Sequence, residues 1–221
     1  MSKSIVTSAA NRLPFEKDYW NLLYGDTFTI DGIYNAKEHI AYLSSLFRLM
    51  NVHVSSLGDF GFGKGILLQE ACRVFQPRKV IAVDPSETMV TQILQRKWLK
   101  KFEIAIFHGT IETYLVSHKI KKPFDLCFCN SVFQYIKKDI PQLLEKIAHC
   151  VRYLYFSVPT TDDYARMQKK LGFSDPYAYA RSRNYYIKAL KPHFSFVSYN
   201  LLESKYNKKS NYAFTDELFR F

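Results

Sequence analysis

Cysteine is sparse in this chain of 221 residues. The 4 present are Cys72, Cys127, Cys129 and Cys150, and none stands at the spacing of a zinc or redox motif. That pattern excludes a disulfide framework and a dithiol centre and calls for no metal. Cys127 and Cys129 lie two apart in an apolar run, share one face of a predicted strand, and read as packing. No apolar run approaches the roughly 20 residues of a membrane-spanning helix. Met1 to Thr7 lacks the apolar core of a signal peptide, so a cytoplasmic protein is expected. Acids are also short, 20 against 31 basic residues for a net charge of +11. The imbalance concentrates between Arg166 and Lys191, where seven basic residues face a single acid, Asp175. Such a patch suits nucleic acid, an anionic membrane surface or a phosphorylated small substrate. The simpler reading is a solvated lysine-rich surface, as in Lys119 to Lys122 and Lys208-Lys209.

What is present is an ordinary globular composition, 48% hydrophobic, in a chain long enough for one well-buried core and without internal repeats. The organising stretch runs from Val52 to Asp84. It reads as strand (Val52–Asp59), glycine loop (Phe60–Gly65), helix (Ile66–Phe75), strand (Lys79–Asp84), and a carboxylate at the second strand's end. Gly61, Gly63 and Gly65 at alternate positions allow a sharp turn and a close ligand approach. A dinucleotide fingerprint requires the last glycine one residue later. A P-loop requires a hydroxyl after Lys64, where Gly65 stands, and Asp59 would repel phosphate.

The remaining pattern, Asp59-x-Gly61-x-Gly63-x-Gly65 followed by Asp84, resembles the first two motifs of class I S-adenosylmethionine (SAM) dependent methyltransferases. The resemblance implies an α/β fold: three layers, doubly wound, with a seven-stranded, mostly parallel sheet and one antiparallel strand near the C-terminus. It implies SAM as cofactor and S-adenosylhomocysteine as product. Gly58, Gly61 and Gly63 would line the amino-acid end, Asp59 would lie near the ammonium, and Asp84 with Pro85 would take the ribose. At the adenine, Thr110 stands where many relatives carry an acid; Thr110 or Glu112 would serve there, with Ile111 packed on the ring. Asn130 and Ser131, after the fourth strand, would face the methyl group.

The remaining chain fits this frame. Pro14 to Tyr24 reads as an aromatic helix, and residues 1–35 as a lid segment preceding a domain over 36–221. The resemblance makes Tyr19, Trp20 and Tyr24 candidate lid contacts to SAM or substrate, with Tyr19 and Tyr24 the candidate substrate contacts. A hydrophobic staple onto the sheet is the alternative reading of the same residues. Helical periodicity over Ala36 to Met50 leads into the first strand. Ser86 reads as an N-cap, and Asp139 as the start of a helix with a capping box. Asn130 to Tyr135 lacks both prolines of the Asn-Pro-Pro-Tyr motif of nucleic-acid methyltransferases and resembles the Ser-x-x-Gln-Tyr form of small-molecule enzymes. Gln134 and Tyr135, with Tyr164, Tyr179 and Arg181, are therefore candidate substrate contacts. Phe194–Leu202 and Tyr212–Phe221 read as two antiparallel strands joined through Asn207 to Asn211.

The function expected is methyl transfer to oxygen or nitrogen of a small-molecule acceptor, with anionic molecules among the candidates. The alternatives are a nucleic-acid methyltransferase and a catalytically silent SAM-binding partner protein. No side chain stands out as a catalytic base; His39, Asp18, Asp162 and Tyr135 are the nearest candidates.

Overall fold

The computed structural model of the chain describes residues 35–207. The predicted lid helix, with Tyr19 and Tyr24, the candidate base Asp18, and the Tyr212–Phe221 strand lie outside them. Helix α1 (Ala36–Leu49) buries Ala36, Ile40, Leu43 and Phe47 at helical spacing, as its periodicity requires. The chain then enters β1 (Ser56–Phe60), α2 (Ile66–Phe75) and β2 (Lys79–Asp84). Next come α3 (Glu87–Leu94), a 3-10 turn, β3 (Ile104–His108) and α4 (Ile111–Ser117). The second half holds β4 (Phe124–Asn130), α5 (Ile140–Cys150), β5 (Val151–Ser157), α6 (Thr161–Leu171) and α7 (Arg183–Leu190). It closes on β6 (Phe194–Ser198) and β7 (Leu201–Ser204).

The strands form one sheet of 7 among the described residues, in the order β3-β2-β1-β4-β5-β7-β6. β7 runs antiparallel to both neighbours and the other pairings are parallel. Two apolar cores sandwich the sheet. One collects Ile40, Leu43, Leu68, Met89 and Ile93 from α1, α2 and α3; the other collects Ile111, Leu144, Ile147, Tyr186 and Leu190 from α4, α5 and α7. Cys127 and Cys129 are buried on the same face of β4 within the second core, where desolvation raises both thiols well above their ordinary pKa. The expected three-layer, doubly wound architecture is what the chain adopts.

Local expectations differ at three places. β1 begins at Ser56 rather than Val52, because Asp125 at the start of β4 accepts from the amides and hydroxyls of both Ser55 and Ser56 and fixes the entry point. The predicted strand Phe194–Leu202 is two strands. Asn200, at φ +54, makes a tight reversal with Tyr199, so the antiparallel partner of β6 is β7. Asp139 precedes α5 with φ +58 and makes no side-chain cap; Pro141 in the first turn takes over the start. Ser86 caps α3 as expected, accepting from Met89 N at 3.3 Å. A capping box at Thr160 and Asp163, which starts α6, was not foreseen.

Candidate active site

Strands β1, β2, β3 and β4 end side by side, and the turns that follow them converge on one pocket of about 140 Å³. Gly61 and Gly63 come from the loop after β1, Asp84 and Pro85 from the end of β2, Thr110, Ile111 and Glu112 from the turn after β3, and Ser131 and Tyr135 from the turn after β4. This is the carboxyl edge of a doubly wound sheet at its switch point, where β1 and β4 lie adjacent and connections leave in opposite directions. Of the candidate cofactor residues, Gly58, Asp59 and Asn130 do not line the pocket. Gly58 is a mid-strand residue whose missing Cβ makes room for Cys127: a methyl there would lie 2.4 Å from its Sγ. Val83, Gly109, Val132 and Ile136 line the pocket and were not foreseen. The last two sit in the run after β4 that already held candidates, whereas Val83 and Gly109 looked like plain strand and turn.

The glycine loop is shaped by contact as well as by torsion. Gly61 has φ +84, and a Cβ on it would lie 2.3 Å from Val132 Cγ2. Its amide donates to Val83 O at 2.7 Å, tying the loop to the end of β2. Asp84 is almost completely buried. Its Oδ2 accepts from Gly63 N at 2.8 Å and its Oδ1 from Ser86 N at 2.9 Å. Burial raises this carboxyl to about 6, with the two amides and the charge of His108 opposing the rise. Asp59, buried in β1, is pushed well above the usual carboxylate range by desolvation and then by the charge of Asp84.

This donor set discriminates between ligands. A phosphate at the loop would need free amides, but the Gly63 amide is committed to Asp84, whose carboxyl lines the pocket where an anion would approach. A ligand with hydroxyl donors and positive charge suits the site instead. Each Asp84 oxygen keeps acceptor capacity beyond its one amide, so the carboxylate can take a ribose diol. Thr110 caps α4, accepting from Thr113 N at 3.2 Å, and leaves Ile111 and Glu112 at the pocket wall. SAM fits these residues.

The turn after β4 is held from outside. Ser131 adopts φ +54, uncommon for a residue with a Cβ, and its amide donates to Ser157 O at 2.9 Å. Asn130 Oδ1 accepts from Ser157 Oγ at 2.8 Å, while its buried Nδ2 has no partner. Gln134 donates to Ser131 O, and its Oε1 is likewise buried and unmatched. Arg181, a candidate substrate contact, donates to the carbonyls of Ile136 at 2.6 Å and Lys137 at 3.0 Å and reaches Phe133 O and Tyr179 O. Its guanidinium pins the turn. Tyr179 N donates to Gln134 O at 2.7 Å, and Tyr135 Oη donates to Asp175 Oδ2 at 2.8 Å. Tyr164 is half-buried on α6 and does not line the pocket. His39 contacts Tyr155 Oη at 2.5 Å and stacks on Tyr199, and Asp162 is exposed on α6.

Residues 58–153 match the family model described as a methyltransferase domain. Over those residues the chain is similar to methyltransferase domains. Similar solved structures share the fold at low identity. A SAM-dependent methyltransferase from Clostridium acetobutylicum superposes with TM-score 0.59 at 14% identity, covering 88% of this chain and 92% of its own. The plantazolicin methyltransferase BamL, solved with a desmethyl plantazolicin analogue and S-adenosylhomocysteine, gives 0.59 at 13%, covering 74% of this chain and 62% of its own. The small RNA methyltransferase HEN1 gives 0.56 at 16%, covering 80% of this chain and 26% of its own. The chain thus spans less than two thirds of BamL and about a quarter of HEN1. No curated protein matches the sequence. Among the described residues no cluster of metal-ligating side chains occurs, and no helix is long and apolar enough to cross a membrane.

Proposed function

We propose that the protein transfers the methyl group of SAM to a small-molecule acceptor, at oxygen or nitrogen. The observation that carries this reading is the convergence of Gly61, Gly63, Asp84, Ile111, Glu112 and Ser131 from four separate strand ends on one pocket. When bound, SAM supplies an electrophilic methyl group on a sulfonium. The chain's own task is to orient and to exclude water. Asp84 holds the ribose, Gly61 and Gly63 give the amino-acid end close access to backbone, and Ile111 covers the adenine face. Ser131 and Tyr135 border the place where an acceptor would meet the methyl group. Residues 36–221 are the domain that does this, with residues 1–35 as its lid.

An acceptor that is not a nucleic acid is supported by the absence of the Asn-Pro-Pro-Tyr prolines after Asn130. The basic charge of +11 favours the second reading, an RNA acceptor. A salt titration separates them: RNA binding would weaken steeply between low and moderate salt, whereas a small acceptor held by one or two contacts would not. The cofactor assignment is tested by calorimetry with S-adenosylhomocysteine on the intact protein and on Asp84→Ala. The substitution removes two charge-assisted contacts, and affinity should fall about 100-fold with the fold unchanged. Equal affinity in both proteins would refute the placement. Cofactor binding without turnover of any acceptor would instead mark a silent SAM-binding partner.

A further inference from the structure

A second, larger concavity lies beside the cofactor pocket. It opens at the carboxyl end of β5 and runs between α6 and α7 along β6 and β7, with a volume of about 1050 Å³. Its floor is apolar, with Phe156, Leu190, Phe194, Phe196 and Leu202. Its rim is cationic, with Arg166, Arg183, Lys191 and Lys205; the acids on it are Asp162 and Asp163. Asp163 pairs with Arg166, and Lys205 Nζ donates to Lys191 O, so the Arg183 and Lys191 side chains carry the positive charge with no ion-pair partner among the described residues. Within the floor, Tyr186 is 3% exposed, with the Arg181 guanidinium beside its hydroxyl.

The groove and the cofactor pocket share a wall. Ser131 lines the pocket, Ser157 lines the groove, and the two are joined by the bond from Ser131 N to Ser157 O at 2.9 Å. A molecule lying in the groove with one end over this rung would reach the residues at the methyl end of the pocket.

We propose that this groove binds the acceptor, and that the acceptor is an anionic amphiphile. Its apolar body lies on the phenylalanine floor, and its anionic group sits between Arg183 and Lys191. The inference rests on the methyltransferase reading above. It narrows the acceptor to molecules with a hydrocarbon or aromatic body and a carboxylate, sulfonate or phosphate.

The test uses the full chain and two fluorescent probes with similar bodies, anilinonaphthalene sulfonate and its uncharged counterpart N-phenylnaphthylamine. The anionic probe is expected to bind saturably and to compete with a long-chain carboxylate such as palmitate, and the neutral probe to bind at least tenfold more weakly. The double substitution Arg183→Gln/Lys191→Gln should weaken the anionic probe about tenfold or more and leave the neutral one unchanged. Titration with S-adenosylhomocysteine runs in parallel. Failure of that titration would bring down the methyltransferase reading. Normal cofactor binding with no anionic-probe site, or with one indifferent to the Arg183 and Lys191 changes, would overturn the groove proposal alone.

Discussion

In the proposed cofactor site Asp84 is the residue whose electrostatics give a pH dependence. In the free protein burial holds its carboxyl at about 6. Hydroxyl donors from a ribose favour the ionised form, so the ligand lowers that pKa and binding releases a proton wherever Asp84 starts protonated. Affinity for S-adenosylhomocysteine should therefore be flat from about pH 7 upward and fall by about tenfold per unit below 6. Calorimetry across that range checks the sign, and Asp84→Asn should abolish the slope as well as most of the affinity. Gly61 makes a separate prediction. With φ +84 and Val132 Cγ2 2.3 Å from where a Cβ would sit, Gly61→Ala must either strain the loop or push Val132 across the pocket. A loss of cofactor affinity of at least tenfold is expected, whereas Gly172→Ala, with open space around its Cβ position, should leave affinity intact.

At the scale of elements, two side chains hold strands and turns that the site depends on. Asp125 accepts from the amides and hydroxyls of Ser55 and Ser56 at 2.8–2.9 Å and joins the start of β4 to the start of β1. Partial burial would raise its carboxyl, but these four donors win and hold it below the ordinary value. Its contribution is therefore present above the ordinary carboxylate pKa and lost as pH falls below it. Discounted for partial exposure, Asp125→Ala should cost about 2 kcal/mol at neutral pH, read by denaturant unfolding. Arg181 does the same for the turn after β4. Arg181→Ala leaves the carbonyls of Ile136 and Lys137 without their donor. The fold should be destabilised by about 2 kcal/mol, with acceptor turnover falling more than cofactor affinity.

These elements also show how far the sequence could be read. The first βαβ unit was legible because loop, helix period and terminal carboxylate all lie within one short stretch, and the structure places Gly61, Gly63 and Asp84 on one pocket. Arg181 was singled out for the substrate, yet it meets carbonyls 44 and 45 residues away in the chain, a partner choice no local pattern encodes. The break between β6 and β7 hid inside a continuous apolar run because its turn is Tyr199-Asn200, without glycine or proline. Tyr186 and Arg183 looked like any helix residues. Only the packing of α7 against β6 and β7 gives them a groove.

For the whole molecule, the sheet order places the cofactor pocket at its switch point and the groove on the β5-β7-β6 side, with the Ser131–Ser157 rung between them. Positive charge belongs to the groove rim, and the carboxylates Asp59 and Asp84 belong to the cofactor side. Such a division suits a cationic cofactor and an anionic acceptor. It also predicts different responses to salt: cofactor affinity should change less than threefold between low and moderate ionic strength, since Asp84 is buried, whereas anionic-probe affinity should weaken visibly at the exposed rim. The most direct measurement is calorimetric titration of the purified protein with S-adenosylhomocysteine at low and high salt. One-to-one binding in the micromolar range, insensitive to salt and lost in Asp84→Ala, is the predicted result; no heat of binding at either salt would contradict the cofactor site on which the rest depends.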